Sequence, residues 1–424
     1  MQDRKLNVYA NDSLMGILSE EENIWTFQYE HYWINQRGAY ALCPNIPLNE
    51  DKQIDGSTKR PIQHFFDNLL PEENARSLLA KDLDVKDVYD TFLLLKKSGK
   101  ESAGALTITS ENMQRPKRSN EPLTHEELNV RIKNLPKAPL NNKETKRMSL
   151  AGAQHKMLVI LQGDELSEPN LSMPSTHILK PDHSDPEDYW QTTMNEWFIM
   201  SLAKTVGLDV PPVRIVYTPT PVFIIERFDR KGKYPAHQRL HIIDACQLLG
   251  VGRGAKYPMS KVETYQKLID TTRLKAKTIQ RLYEWVLFNI LIGNGDAHLK
   301  NISFYQEGSG TVLSPFYDLL CTIIYTDPLA TLHQDLSVPI GDKLQFKDVE
   351  YSDLEIFAKQ IGLPASVMRK ITTKMVDNIE REFDALYQGV EDSPIHVEKG
   401  GELHMLREIK FKVLKPMLNK IAPK

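Results

Sequence analysis

Asp296 and Asn301 stand five residues apart in the polar stretch Asn294-Gly295-Asp296-Ala297-His298-Leu299-Lys300-Asn301, which follows an apolar run ending at Ile292. A carboxylate and a carboxamide at that spacing suit phosphoryl transfer. The first orients an acceptor hydroxyl and takes its proton, and the second holds a magnesium ion on the phosphates. Seventeen residues beyond Asn301 comes Asp318, in Ser314-Pro315-Phe316-Tyr317-Asp318, placed to be a second metal ligand. Magnesium takes hard oxygen ligands and keeps several waters, so two protein ligands plus phosphates suffice. His298 either donates a proton toward the γ-phosphate or braces the loop. No Gly-x-Ser-x-Gly motif and no paired Cys/His signature offers a different chemistry.

Transfer from ATP also needs a loop over the phosphates, a cation and an edge for the adenine. The loop candidate is Ser149-Leu150-Ala151-Gly152-Ala153-Gln154-His155-Lys156, where small residues let backbone amides approach phosphate oxygens. It has a single glycine and by itself reads as a plain turn. The cation candidate is Lys180, ending the strand-like His177-Ile178-Leu179-Lys180, with Glu196 on the next helix as its partner. Taken alone, a strand-end lysine is more often a solvated charge. The edge candidate is Ile224-Ile225-Glu226-Arg227-Phe228-Asp229, with Glu226 and Phe228 toward the adenine and Asp229 accepting from the ribose. Each piece is weak singly; their order along one chain is the stronger signal.

These residues need scaffolding, and the 424 residues suffice for two or three domains. A hydrophobic fraction of 41% and a formal charge of −3 fit a soluble protein without a global basic field for nucleic acid. Three scattered cysteines fit a reducing compartment, and no segment reads as a signal peptide or membrane span, so a cytoplasmic protein is expected. Residues 1–108 read as a small mixed unit that opens on a hairpin around Asn11-Asp12. Residues 109–147 are polar and proline-bearing and read as a linker with one short helix near Thr124–Leu135. In 148–229, four strand-like runs (Met157–Leu161, Thr176–Lys180, Val213–Thr218 and Val222–Phe228) surround a helix over Asp188–Val206. From 230 to 424 the apolar stripes are helical, including Ile242–Leu249 and Ala276–Leu291. The expected fold is α+β and bilobal: a β-rich first lobe with an added N-terminal subdomain, then an all-α second lobe.

With these residues in hand, the chain resembles the HipA family, the serine/threonine kinase toxins of bacterial toxin–antitoxin modules. The loop Ser149–Lys156, Thr176–Lys180, Asn195-Glu196, Glu226–Arg230, Asn294–Asn301 and Tyr317-Asp318 carry the likeness, with His241, Asp244–Gly250 and Lys256-Tyr257. Phe65–Glu72 and Ser102–Leu106 extend it into the N-terminal part. The resemblance implies a protein-kinase-like fold and a kinase that uses ATP and Mg2+. It implies a target serine in an aminoacyl-tRNA synthetase, and self-inactivation by autophosphorylation at the position of Ser149. It also implies a HipB-like helix-turn-helix antitoxin and, through it, operator DNA. His155-Lys156-Met157 and Val251-Gly252-Arg253-Gly254 depart from the family pattern, so the target's identity stays open. A small-molecule phosphotransferase of the aminoglycoside-kinase kind and a non-catalytic corepressor are the competing readings. The N-terminal unit argues against the first, and the intact Lys180, Asp296, Asn301 and Asp318 against the second.

Overall fold

The strand Arg4–Ala10 buries Leu6 and Val8 on one face and pairs with Ser13–Glu21, the hairpin expected around Asn11-Asp12. The computed structural model of the chain describes residues 4–113, 121–135, 137, 140, 154–326, 331–395 and 399–423. The hairpin is the middle of a five-stranded antiparallel sheet completed by Ile24–Tyr29, Gln53–Ile54 and Leu106–Thr109. Trp25, Phe27, Phe65, Phe66 and Phe92 fill the space between this sheet and its helices. Pro71 splits the helical stretch into Pro61–Asp67 and Glu73–Asp82, as proline in a helix interior must. A further helix, Thr91–Ser98, starts where the Asp90 side chain caps it through the Leu93 amide at 3.0 Å.

A second, six-stranded sheet runs in the order Val213–Tyr217, Pro221–Glu226, His177–Pro181, Met157–Gln162, Glu165–Glu168, Glu121–Pro122. Alternation sorts its side chains: Val222 and Ile224 face one core, Phe223 and Ile225 the other. Phe223 is directly paired with Lys180, so both side chains stand on the face covered by the helix Thr192–Thr205. That register aims Lys180 at Glu196. The opposite face is covered by Leu123, Leu128 and Leu140. The segment read as a linker is therefore partly structural. Glu121–Pro122 adds a strand, the helix His125–Lys133 packs beneath, and Arg131 bonds Glu168 at 2.6 Å. Its few apolar residues are scattered among charges, which hides this from periodicity.

The remaining part is built on Lys275–Ile292, a helix buried nearly all round along its second half, with Leu282, Trp285, Leu287, Phe288 and Leu291 inaccessible. Ala365–Asp392 and the C-terminal helices Lys399–Glu408 and Lys415–Ile421, joined by a π turn, pack about it. Besides the short pairing of Arg230–Lys231 with Gln238–Arg239, two small sheets lie within this otherwise helical lobe. In one, Ile242–Asp244 pairs with Ser303–Glu307, which pairs with Gly310–Leu313; in the other, Asp335–Ile340 pairs with Lys343–Gln345. The expected helix over Ile242–Leu249 is shorter, Ala245–Leu249, because the Asp244 side chain caps it. The C-terminal lysines are largely paired: Lys410 to Asp384 and Lys415 to Glu380 at 3.2 Å. Among the described residues no helix is long and apolar enough to cross a membrane.

Candidate active site

Between the two halves lies a cleft whose wall includes Lys156, Lys180, Glu196, Glu226, Phe228, Asp296, His298, Asn301 and Asp318. Residues from strands, helices and loops far apart in the chain are thus brought to one cavity. Ser149, Ala151, Gly152 and Ala153 of the expected phosphate loop lie outside the described residues. Gln154 donates weakly to the Pro181 carbonyl at 3.5 Å.

The catalytic-type loop is fixed by its own polar groups. Lys275–Ile292 ends on Gly293 at φ +68°, where a Cβ would come 2.6 Å from Ile323 Cδ1. Asn294 then bridges backward to Asn289 at 2.8 Å and forward to the Asp296 amide at 3.0 Å. The Gly295 amide donates to Thr322 Oγ1 at 2.7 Å. Asn301 Nδ2 donates to the Asp296 carbonyl at 2.8 Å, so the carboxamide oxygen is the atom left for a metal. The five-residue spacing is what lets Asn301 close this loop on Asp296.

Lys180 Nζ sits 2.7 Å from Glu196 Oε1 and 2.6 Å from Asp318 Oδ1. Two carboxylates share one ammonium. Burial pushes Glu196 up to about 7 despite Lys180. Burial would also raise Asp318, but Lys180 and Lys156 outweigh it and hold Asp318 down at about 2. Asp318 is the more open partner, with 32% of its side chain exposed. It adopts φ +59°, a left-handed conformation unusual for a non-glycine residue and frequent at functional sites. Tyr317 braces it, bonding Ser303 Oγ at 2.6 Å and the Lys300 carbonyl at 2.9 Å. Burial and the neighbouring Lys180 lower Lys156 to about 8. An ionised carboxylate and a carboxamide oxygen facing one cleft are a donor set that fits Mg2+.

Asp296 exposes 43% of its side chain to the cleft mouth, and the surrounding walls raise its carboxyl above the usual range against the pull of His298 and Tyr257. His298 Nε2 lies 3.7 Å from Asp296 Oδ1, and burial lowers its pKa, which keeps the imidazole neutral near pH 7. A neutral ring suits bracing better than proton donation.

On the opposite wall, Phe228 stacks on Tyr317 with centroids 5.5 Å apart. Asp229 has further partners that its expected part did not include. Arg227 bonds it at 2.6 and 2.9 Å, Arg230 lies 3.1 Å away, and the Gly104 amide donates at 2.7 Å. Burial would raise this carboxyl, but Arg227 and Arg230 hold it well below the carboxylate range. Asp229 lines the same cleft, and its carboxylate also joins the second sheet to the segment around Gly104, so Arg227, Arg230 and the Gly104 amide compete with a ribose for its oxygens. Nothing in the local sequence shows that Arg227 and Arg230 fold back onto it.

Sequence reasoning missed a buried ionic cluster behind the loop. Lys300 Nζ contacts Asp244 Oδ2 at 2.8 Å, Asn68 Oδ1 at 2.9 Å and Glu72 Oε1 at 3.4 Å, while Lys256 Nζ reaches Glu72 Oε2 at 2.7 Å. Asn68, Leu69, Glu72 and Ala103 make the N-terminal unit part of the cleft wall. The position of Lys300 beside Asn301 was the available signal; its partners lie 56 to 232 residues away.

The HipA N-terminal domain model matches residues 6–109, and the HipA-like C-terminal domain model matches residues 148–383. The chain is 32% identical over 392 residues to the putative kinase Y4mE of Sinorhizobium fredii, covering 89% of this chain and 90% of that one. It is 31% identical over 394 residues to the serine/threonine-protein kinase toxin HipA of Shewanella oneidensis, covering 88% and 87%. Its fold superposes with a TM-score of 0.80, at 25% identity, on the HipA chain solved from Shewanella oneidensis as a complex of HipA, HipB and operator DNA, covering 98% and 99%. With a bilobal kinase-like fold and both family domains present, the chain belongs to the HipA family of serine/threonine-protein kinases.

Proposed function

We propose that this kinase is a growth-arresting toxin that moves the γ-phosphate of ATP to a serine of a translation protein, with an aminoacyl-tRNA synthetase as the target class the family suggests. The observation that supports it most is the convergence of Lys180, Glu196, Asp318, Asp296 and Asn301 on one cleft. In this reading Lys180 and Lys156 hold the nucleotide phosphates, and Glu226 and Phe228 border the adenine. Asn301 and Asp318 would hold Mg2+, which would supply positive charge to offset that of the phosphates. Asp296 orients the acceptor hydroxyl and takes its proton, and its raised carboxyl makes it a better base than a solvated aspartate. His298 keeps Asp296 in place.

The division into residues 1–108, 109–147, 148–229 and 230–424 is proposed with one amendment: part of the second stretch belongs to the second sheet. A HipB-like antitoxin, and operator DNA through it, are proposed partners, supported by the assembly of the Shewanella relative. Self-inactivation by phosphorylation of Ser149 completes the reading; a phosphate there would add about −1.5 to −2 charge, which would repel nucleotide phosphates. A cytoplasmic location agrees with three buried, unpaired cysteines.

Asp296→Ala is the test. It should reduce transfer to protein by about 10²-fold or more. Induced expression of the wild type, followed by phosphoproteomics, should show arrest and new phosphoserine in a translation protein, both absent with the variant. Equal arrest by the two chains would refute the reading.

A further inference from the structure

The hydroxyl that Asp296 holds belongs to the protein itself. Tyr257 donates its phenol hydrogen to Asp296 Oδ1, the contact an acceptor hydroxyl must make before transfer. Its backbone is anchored: the Lys256 carbonyl accepts from the Leu299 amide at 3.3 Å and from Ser260 Oγ at 2.6 Å. Its ring meets His298 edge-on at 4.9 Å, and Lys256 Nζ lies 5.2 Å from the ring centre. Tyr257 is nevertheless 45% exposed, beside the cleft residue Asp296. A group arriving from solvent therefore reaches this contact without opening the core.

We infer that Tyr257 is a positioning residue that occupies the acceptor's place on Asp296 Oδ1, keeping water from that oxygen until the hydroxyl of a protein substrate displaces it. The inference rests on the kinase reading above. Exchange of one neutral hydroxyl donor for another costs little. A protein acceptor brings binding energy from the rest of its surface to drive the exchange, and water brings none. After displacement, Asp296 takes the proton of the incoming hydroxyl and its oxygen bonds to the γ-phosphorus. The bond from that phosphorus to the β–γ bridging oxygen breaks, and ADP leaves. Tyr257 thus favours transfer to protein over hydrolysis of ATP.

Tyr257→Phe keeps the ring and its edge contact with His298 but removes the donor. With ATP and Mg2+ and no protein acceptor, the variant should release ADP about tenfold faster than the wild type, a barrier change of about 1.4 kcal/mol. Adding Asp296→Asn to it should return the rate to that of Asp296→Asn alone. Tyr257→Leu, which also removes the hydroxyl, should show the same rise. ATP affinity by calorimetry and the melting temperature should stay at wild-type values. Normal ATP binding with ADP release at or below the wild-type rate would overturn the role of Tyr257 alone. Failure of the wild type and every variant to bind ATP would overturn the kinase reading, and this inference with it.

Discussion

Replacing Lys180 with methionine removes the charge shared by Glu196 and Asp318 while keeping most of the side chain's bulk. Removing one partner of a buried ion pair costs about 3–5 kcal/mol, because the other charge is left uncompensated. Glu196, with 3% of its side chain exposed, bears that cost in full, whereas Asp318 recovers hydration through its open third. The lower end, about 3 kcal/mol at pH 8, is expected. The pH dependence is the sharper expectation. Glu196 already titrates at about 7 beside Lys180, and without Lys180 its carboxyl rises further. A group raised above its unfolded value gains stability as pH falls below its folded pKa and loses it as pH rises. Between pH 8 and 5.5 the variant's carboxyl is protonated early and the wild type's late, so the gap narrows by about 1.4 kcal/mol per unit of difference between the two pKa values. Urea unfolding followed by tryptophan fluorescence should therefore show a penalty at pH 5.5 of about half that at pH 8. Glu196→Gln added to Lys180→Met should recover part of the loss at pH 8. Calorimetry should show loss of Mg-ATP binding in Lys180→Met. A penalty that is flat or grows toward pH 5.5, or intact Mg-ATP binding, would refute the shared-ammonium account.

Two further expectations follow from the same cleft. Lys156, lowered to about 8, is charged below that pH and loses its charge above it, so ATP affinity of the free protein should fall as pH rises through 8. Lys156→Arg should flatten that fall; a wild-type affinity constant from pH 7 to 9.5 would remove Lys156 from the phosphate site. Gly293→Ala puts a Cβ 2.6 Å from Ile323 Cδ1 and 2.7 Å from Val413 Cγ1 at φ +68°. It should cost about 2 kcal/mol or more and lower turnover by displacing Asp296, read by denaturant unfolding and transfer assays.

Only some of this was legible in the chain. The Asp296 to Asn301 spacing is local, and the bond from Asn301 to the Asp296 carbonyl explains why that spacing is needed. The apolar strand ending at Lys180 and the helix bearing Glu196 were readable too, because period-two alternation and helical spacing each register in a short window. Asp229 looked equally available, yet Arg227, Arg230 and Gly104 compete for its oxygens, two of them on neighbouring turns of chain that sequence does not orient.

The sequence by itself determined which side chain types stand at spacings suited to the chemistry and the order of the elements that bear them, since residue type and periodicity are properties of short segments. Tertiary structure decided which of those side chains remain open to a ligand. Glu72 reaches Lys256 and Lys300 across about two hundred residues, the stretch before the second sheet becomes its edge strand, and Tyr257 lands on Asp296. Such pairings depend on where distant segments pack. Buried charge tolerates no unpaired partner, so the folded chain settles these contacts together, and no local pattern records them.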